Sequence, residues 1–160
     1  MMGSSKGDPD STSLMQKTVN LLNKAGYEVI FPEMINHLCC GTIWESKGMP
    51  DIADQKSEQL EIALMKASND GEYPVLCDQS PCLYRMRKTL KGMQLYEPVE
   101  FIEKFLIEKL DFLPSDEPVT VFATCSTRKL LLDPLVVRLA KRCSTRVLVD
   151  RKSTRLNSSH

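Results

Sequence analysis

Six cysteines carry most of the chemistry open to this chain: Cys39, Cys40, Cys77, Cys82, Cys125 and Cys143. A thiolate is both a nucleophile and a soft ligand, so thiols in a reducing compartment point to metal or redox work before structural crosslinks. Cys39 and Cys40 are adjacent, which makes a disulfide between them awkward in geometry. Gly41 follows and leaves the backbone free to approach whatever the two thiols hold. Cys82 comes after Ser80-Pro81 at a predicted helix start, and Cys125 precedes Ser126-Thr127 at another. Amides at a helix N-terminus favour the thiolate at both places. Cys77 ends a core strand, so burial is read there ahead of ligation, and Cys143 reads as a small buried hydrophobe on an inward helix face. The usual short-spaced zinc pattern is absent, since four residues separate Cys77 from Cys82 and no second short pair exists.

Other chemistries find little support. One of the two histidines, His160, is the last residue, which leaves His37 alone in the body of the chain. That disfavours a Ser-His-Asp triad or a His-rich zinc site, and His37 itself reads as a surface or hydrogen-bonded residue. The glycines form neither a dinucleotide fingerprint nor a P-loop. Lys and Arg total 21 against 21 Asp and Glu, so no basic excess exists for a phosphate backbone and nucleic acid is not an expected partner. No apolar run is long enough to predict a membrane span. Met1-Met2-Gly3-Ser4-Ser5-Lys6 lacks the apolar stretch of a signal peptide, so the expected location is cytoplasmic, with peripheral attachment to the inner face of the cell membrane left open.

The elements that must position the thiols follow from periodicity. It predicts helices over 14–25, 51–69, 82–90, 98–110 and 127–142, and strands over 27–31, 73–76, 119–123 and 147–149. Asp10, Ser11 or Ser13 caps the first helix and Gly26 ends it, while Pro134 starts the regular part of the last one. The expected inward faces include Leu14 and Leu22, Ile52 and Leu60, Ile102 and Leu106, and Leu132 and Leu139. Strands separated by helices call for an α/β fold, a mostly parallel sheet with crossover helices. The carboxyl ends of parallel strands share an edge, which brings Cys39-Cys40, Cys77 and Cys125 towards one side. Residues 19–30 also align over residues 137–148, helix on helix and strand on strand, although any two helix–strand units look alike to this extent. The basic stretch from Arg85 to Lys91 reads as a solvated helix face, with a docking patch for an acidic partner as the sharper alternative. Trp44 and Glu45 stand close enough in sequence to shield or tune a centre, and packing is the plainer role for the Trp.

Asn36-His37-Leu38-Cys39-Cys40-Gly41-Thr42-Ile43-Trp44-Glu45-Ser46-Lys47-Gly48 resembles the first Cys-Cys-Gly motif of the cysteine-rich domain in FAD-linked oxidoreductases. The best match is the D-lactate dehydrogenase type with FAD and iron–sulfur domains on one polypeptide. The iron–sulfur subunit of glycolate oxidase and the Cys-Cys-Gly subunit of heterodisulfide reductase are related. Residues 25–33, Asp78-Gln79-Ser80-Pro81-Cys82, residues 95–101 and Thr124-Cys125-Ser126-Thr127-Arg128 support the resemblance, which covers essentially residues 1–149.

The resemblance implies two copies of Cys…Cys-Cys-Gly…Cys, hence two pseudo-repeated halves with the second truncated. It implies that Cys39, Cys40 and Cys82 are thiolate ligands of one 4Fe-4S-type cluster, with Cys77 a doubtful addition, and that Cys125 begins another ligand set. A leading cysteine would fall upstream of Met1 and the second Cys-Cys-Gly beyond Val149, so these residues alone are expected to hold less than an intact four-iron centre. The implied partners are the flavin domain of the same parent, with FAD on the missing upstream domain, and a downstream acceptor of quinone or cytochrome type. No flavin or substrate site is expected on the chain, so it would not be catalytic alone. A structural zinc module and a thiol-redox module of heterodisulfide-reductase-like type stay open as alternatives.

Residues 150–160, Asp150-Arg151-Lys152-Ser153-Thr154-Arg155-Leu156-Asn157-Ser158-Ser159-His160, resemble the translation of a short-read sequencing adapter and are expected to be non-native. They hold three basic residues and one acidic residue, so the neutrality of the whole chain comes from this tail.

Overall fold

The computed structural model describes residues 12–150, so the expected caps Asp10 and Ser11 and residues 151–160 of the tail lie outside the described residues. The elements run α1 (Leu14–Lys24), α2 (Thr42–Ser46), α3 (Pro50–Ala67), β1 (Val75–Leu76), α4 (Ser80–Thr89), β2 (Leu95–Tyr96) and α5 (Pro98–Phe101). They continue with β3 (Val119–Val121), α6 (Cys125–Lys129), α7 (Asp133–Cys143) and β4 (Val147–Val149). Helix and strand are mixed, as an α/β reading requires. Among the described residues the strands form two separate two-stranded parallel sheets, β1 with β2 and β3 with β4.

The first sheet organises the chain around the thiols. Val75 pairs with Leu95 and Leu76 with Tyr96. Side chains alternate across a strand, so the sheet sends one pair to each face. Val75 and Leu95 join a core with Cys40, Leu60, Leu64, Leu83, Met86 and Leu90. Leu76 and Tyr96 join a second core with Leu22, Ala25, Phe101 and Leu106. A parallel pair covered on both faces suits so short a sheet, because nearly every apolar group on it leaves water.

Each helix shows why its sequence folds as it does. Ser13 caps α1, accepting a hydrogen bond from the Gln16 amide at 3.2 Å. Ser13→Ala is expected to cost about 1 kcal/mol, read as a lower urea midpoint at unchanged slope. Pro50 opens α3, where its missing N–H is no loss. The buried stripe of α3 is Ala53, Ser57, Leu60 and Leu64, at helical spacing. After α5 the backbone widens through Ile102–Leu106, where the Ile107 amide reaches back to the Ile102 carbonyl at 3.0 Å. That wider turn lets Phe101 and Leu106, five positions apart, both enter the second core, at 4% and 0% exposure.

Several expectations are corrected. Residues 27–31 are not a strand: Tyr27 and Val29 pack on the second core while Ile30 and Phe31 are exposed. The segment alternates as a strand would but has no ladder partner, and Gly26 at φ 83° and Pro32 bound it. The helix expected over 127–142 is two helices, α6 and α7, parted at Leu131, whose φ is 58°. Leu14 and Ile52 are exposed instead of inward, at 57% and 38%. Cys143 is exposed and does not pack as a buried hydrophobe, because it lies in the last turn of α7, next to the exposed Lys141 and Arg142. The alignment of residues 19–30 over 137–148 therefore matches helix to helix but finds a strand only in the second stretch.

Candidate metal centre

The Cys-Cys-Gly turn is built by its glycine. Gly41 sits at φ 85° and ψ −10°, a left-handed conformation, and forms the N-cap of α2. A Cβ there would run into the carbonyl oxygen of Ala53 in α3, so the turn lies directly on that helix. The Gly41 carbonyl accepts from the Trp44 and Glu45 amides, both at 3.0 Å, which starts α2. The Gly41 amide points at the Cys39 sulfur, 3.4 Å away, and the Cys40 sulfur lies 3.2 Å from the Thr42 hydroxyl. Cys39 is half-buried and Cys40 is buried at 6% exposure.

Beneath the turn lies a buried arginine. Arg85 Nε donates to the Cys40 carbonyl at 2.8 Å and to Ser57 Oγ at 3.3 Å. Ser57 Oγ donates to the same carbonyl at 2.9 Å. The two terminal nitrogens of the guanidinium meet Glu45 at 2.6 Å and Asp54 at 2.9 Å. This corrects the solvated basic face: Arg85 is buried at 6% exposure. Arg87 is also turned inward, onto the Leu95 carbonyl at 2.9 Å and Glu100 at 2.6 Å. Lys88 folds over the Tyr84 ring at 4.2 Å. Lys88 and Lys91 remain exposed.

Cys82 is the third residue of α4 and packs on the same core as Cys40. The neighbouring Cys82 thiol is the main cause that lowers the Cys40 thiol to about 5, against burial acting in the other direction. The Cys40 thiol in turn, followed by burial, raises Cys82. The two thiols titrate as a pair. Cys77 follows β1 in strand alternation, so it shares the face of Val75 and packs on the first core. Burial pushes its thiol up to about 11, and its Sγ lies 3.6 Å from the Gln79 carbonyl. Cys40, Cys77 and Cys82 thus pack on one core, beside the turn that carries Cys39.

Cys125 stands apart. It is the first residue of α6 and exposed, outside the core that holds Cys40 and Cys82, although α6 packs beside α4 and Leu130 reaches that core. His37 is exposed within a short 3₁₀ turn. Among the described residues no three His, Cys, Asp or Glu side chains already stand at the spacing that one bound ion would impose. The residues that sequence reasoning passed over are Arg85, Ser57 and Asp54. A signal was present for the first, since Arg85 lies three residues after Cys82 and so on the same face of α4.

The chain matches no family model, no curated protein and no solved structure. Among the described residues no helix is long and apolar enough to cross a membrane.

Proposed function

We propose that this chain is the cysteine-rich electron-transfer module of an FAD-linked D-lactate-type dehydrogenase, with Cys39, Cys40 and Cys82 as thiolate ligands of an iron–sulfur centre. The observation that supports it best is the meeting of the Cys-Cys-Gly turn with Cys82, two segments more than forty residues apart in sequence, on one core. The donor set fits such a group: soft sulfur ligands, an amide aimed at the Cys39 sulfur and an apolar floor of Leu60, Leu64 and Leu83.

An iron–sulfur cluster, when bound, takes up and releases single electrons. The chain's own residues do the rest. A cluster held by Cys39, Cys40 and Cys82 would take them as thiolates, so loading would release protons. The Gly41 amide stabilises negative charge on Cys39 sulfur, and the apolar floor keeps water from that side. Cys77, protonated by burial, is the natural reserve ligand. In this reading Cys125 begins a second ligand set, and the flavin domain supplies electrons destined for a quinone- or cytochrome-type acceptor.

A thiol-by-thiol serine series on the chain, loaded anaerobically with ferrous iron and sulfide, tests the ligand assignment. Cys40→Ser and Cys82→Ser are each expected to lose most of the bound iron, roughly tenfold or more. Cys143→Ser should keep all of it. Iron retained in full by Cys40→Ser would contradict the assignment.

A further inference from the structure

Arg85 has no evident reason to be buried if it only paired with acids. Its partners Glu45 and Asp54 are 61% and 74% exposed, and such ion pairs are weak and screened. Burying a guanidinium is costly, and an apolar side chain of similar size would fill the space more cheaply. What the arginine supplies is donors for one carbonyl. The left-handed Gly41 turn leaves the Cys40 carbonyl buried, and Arg85 Nε and Ser57 Oγ together satisfy it, at 2.8 and 2.9 Å. The other two nitrogens of the same planar group reach α2 through Glu45 and α3 through Asp54.

We infer that Arg85 is the positioning residue of the thiol site: its planar fork, fixed on the helix that carries Cys82, clamps the Cys-Cys-Gly turn into shape before any metal arrives. For the metal this rests on the function proposed above, while the clamp itself belongs to the metal-free chain. Shape, and not charge, is the means. The hydrogen bonds of Arg85 Nε and Ser57 Oγ end on the backbone carbonyl of Cys40, not on its sulfur. A lysine keeps the charge but has no fork, so it should not substitute.

The test uses the full 160-residue chain, reduced and metal-free, with Arg85→Lys, Arg85→Met and Ser57→Ala beside the unaltered protein. Iodoacetamide labelling under native conditions is followed at each cysteine by peptide mass spectrometry. Cys40 is expected to label roughly tenfold faster in both Arg85 variants, and about threefold faster in Ser57→Ala, since each loses a donor to one carbonyl. Labelling of the exposed Cys125 and Cys143 and the far-ultraviolet circular dichroism should stay unchanged. Wild-type protection of Cys40 in Arg85→Lys would overturn the inference, as would unchanged Cys40 labelling in every variant. Should the Arg85 variants unfold outright, the Ser57→Ala rate decides alone, with no acceleration counting against the clamp. A parallel titration with cadmium, read by its thiolate charge-transfer absorption, separates the two readings. Failure of the unaltered chain to bind cadmium would overturn the metal function and leave the clamp standing on the labelling result.

Discussion

Replacing Gly41 with alanine is expected to destabilise the chain by about 2–5 kcal/mol, a large share of the roughly 5–15 kcal/mol that holds a typical domain together. Two costs add. An alanine in the left-handed region at φ 85° loses roughly 1–2 kcal/mol from its own backbone. Its Cβ then meets the Ala53 carbonyl, which belongs to the backbone of a long helix and cannot swing away as a side chain would. Gly48 supplies the control. It has nearly the same conformation, φ 75°, but no atom lies within 4 Å of where its Cβ would stand, so Gly48→Ala should show the backbone cost alone. The difference between the two urea midpoints, at equal slopes, measures how tightly the Cys-Cys-Gly turn rests on α3. Equal losses at the two positions would show that the turn does not bear on that helix.

Leu83→Ala is expected to cost about 3–4 kcal/mol and to lower Tm by roughly 6–16 °C. Leu83 is fully buried, follows Cys82 directly and lies in the core shared by Cys40, Leu60 and Met86. The cavity left behind opens under the thiols. Leu106 is equally buried but belongs to the second core, on the other face of the β1–β2 pair. Leu106→Ala should therefore cost a similar amount of stability while leaving the native labelling of Cys40 unchanged. Calorimetry and native alkylation on the two variants separate the effects, and equal acceleration at Cys40 would mean that the two cores act as one.

Part of the scaffold was legible in periodicity: the helix expected over 51–69 runs Pro50–Ala67 with Leu60 inward, although Ala53 and Ser57, and not Ile52, complete its buried stripe. The short elements were not. β2 is only Leu95 and Tyr96, too brief to show alternation, and residues 27–31 show alternation without finding a partner strand. Pairing is a property of the neighbour, which local sequence does not contain. The same limit governs the site. The Cys-Cys-Gly triplet and Cys82 stand out by residue type, and the structure brings them together. Their meeting depends on a contact across 42 positions, from Cys40 to Cys82, which no local motif announces. Arg85 was hidden for a related reason. A basic run on a helix is usually solvated, and only the inward carbonyl of Cys40 gives this arginine cause to be buried.

Iron and acid-labile sulfide, measured with zinc on the same anaerobically purified protein, test the central proposal most directly. An iron–sulfur module should carry both iron and acid-labile sulfide, the two falling together in Cys82→Ser. Stoichiometric zinc without sulfide would contradict it and make the thiol cluster a structural zinc site.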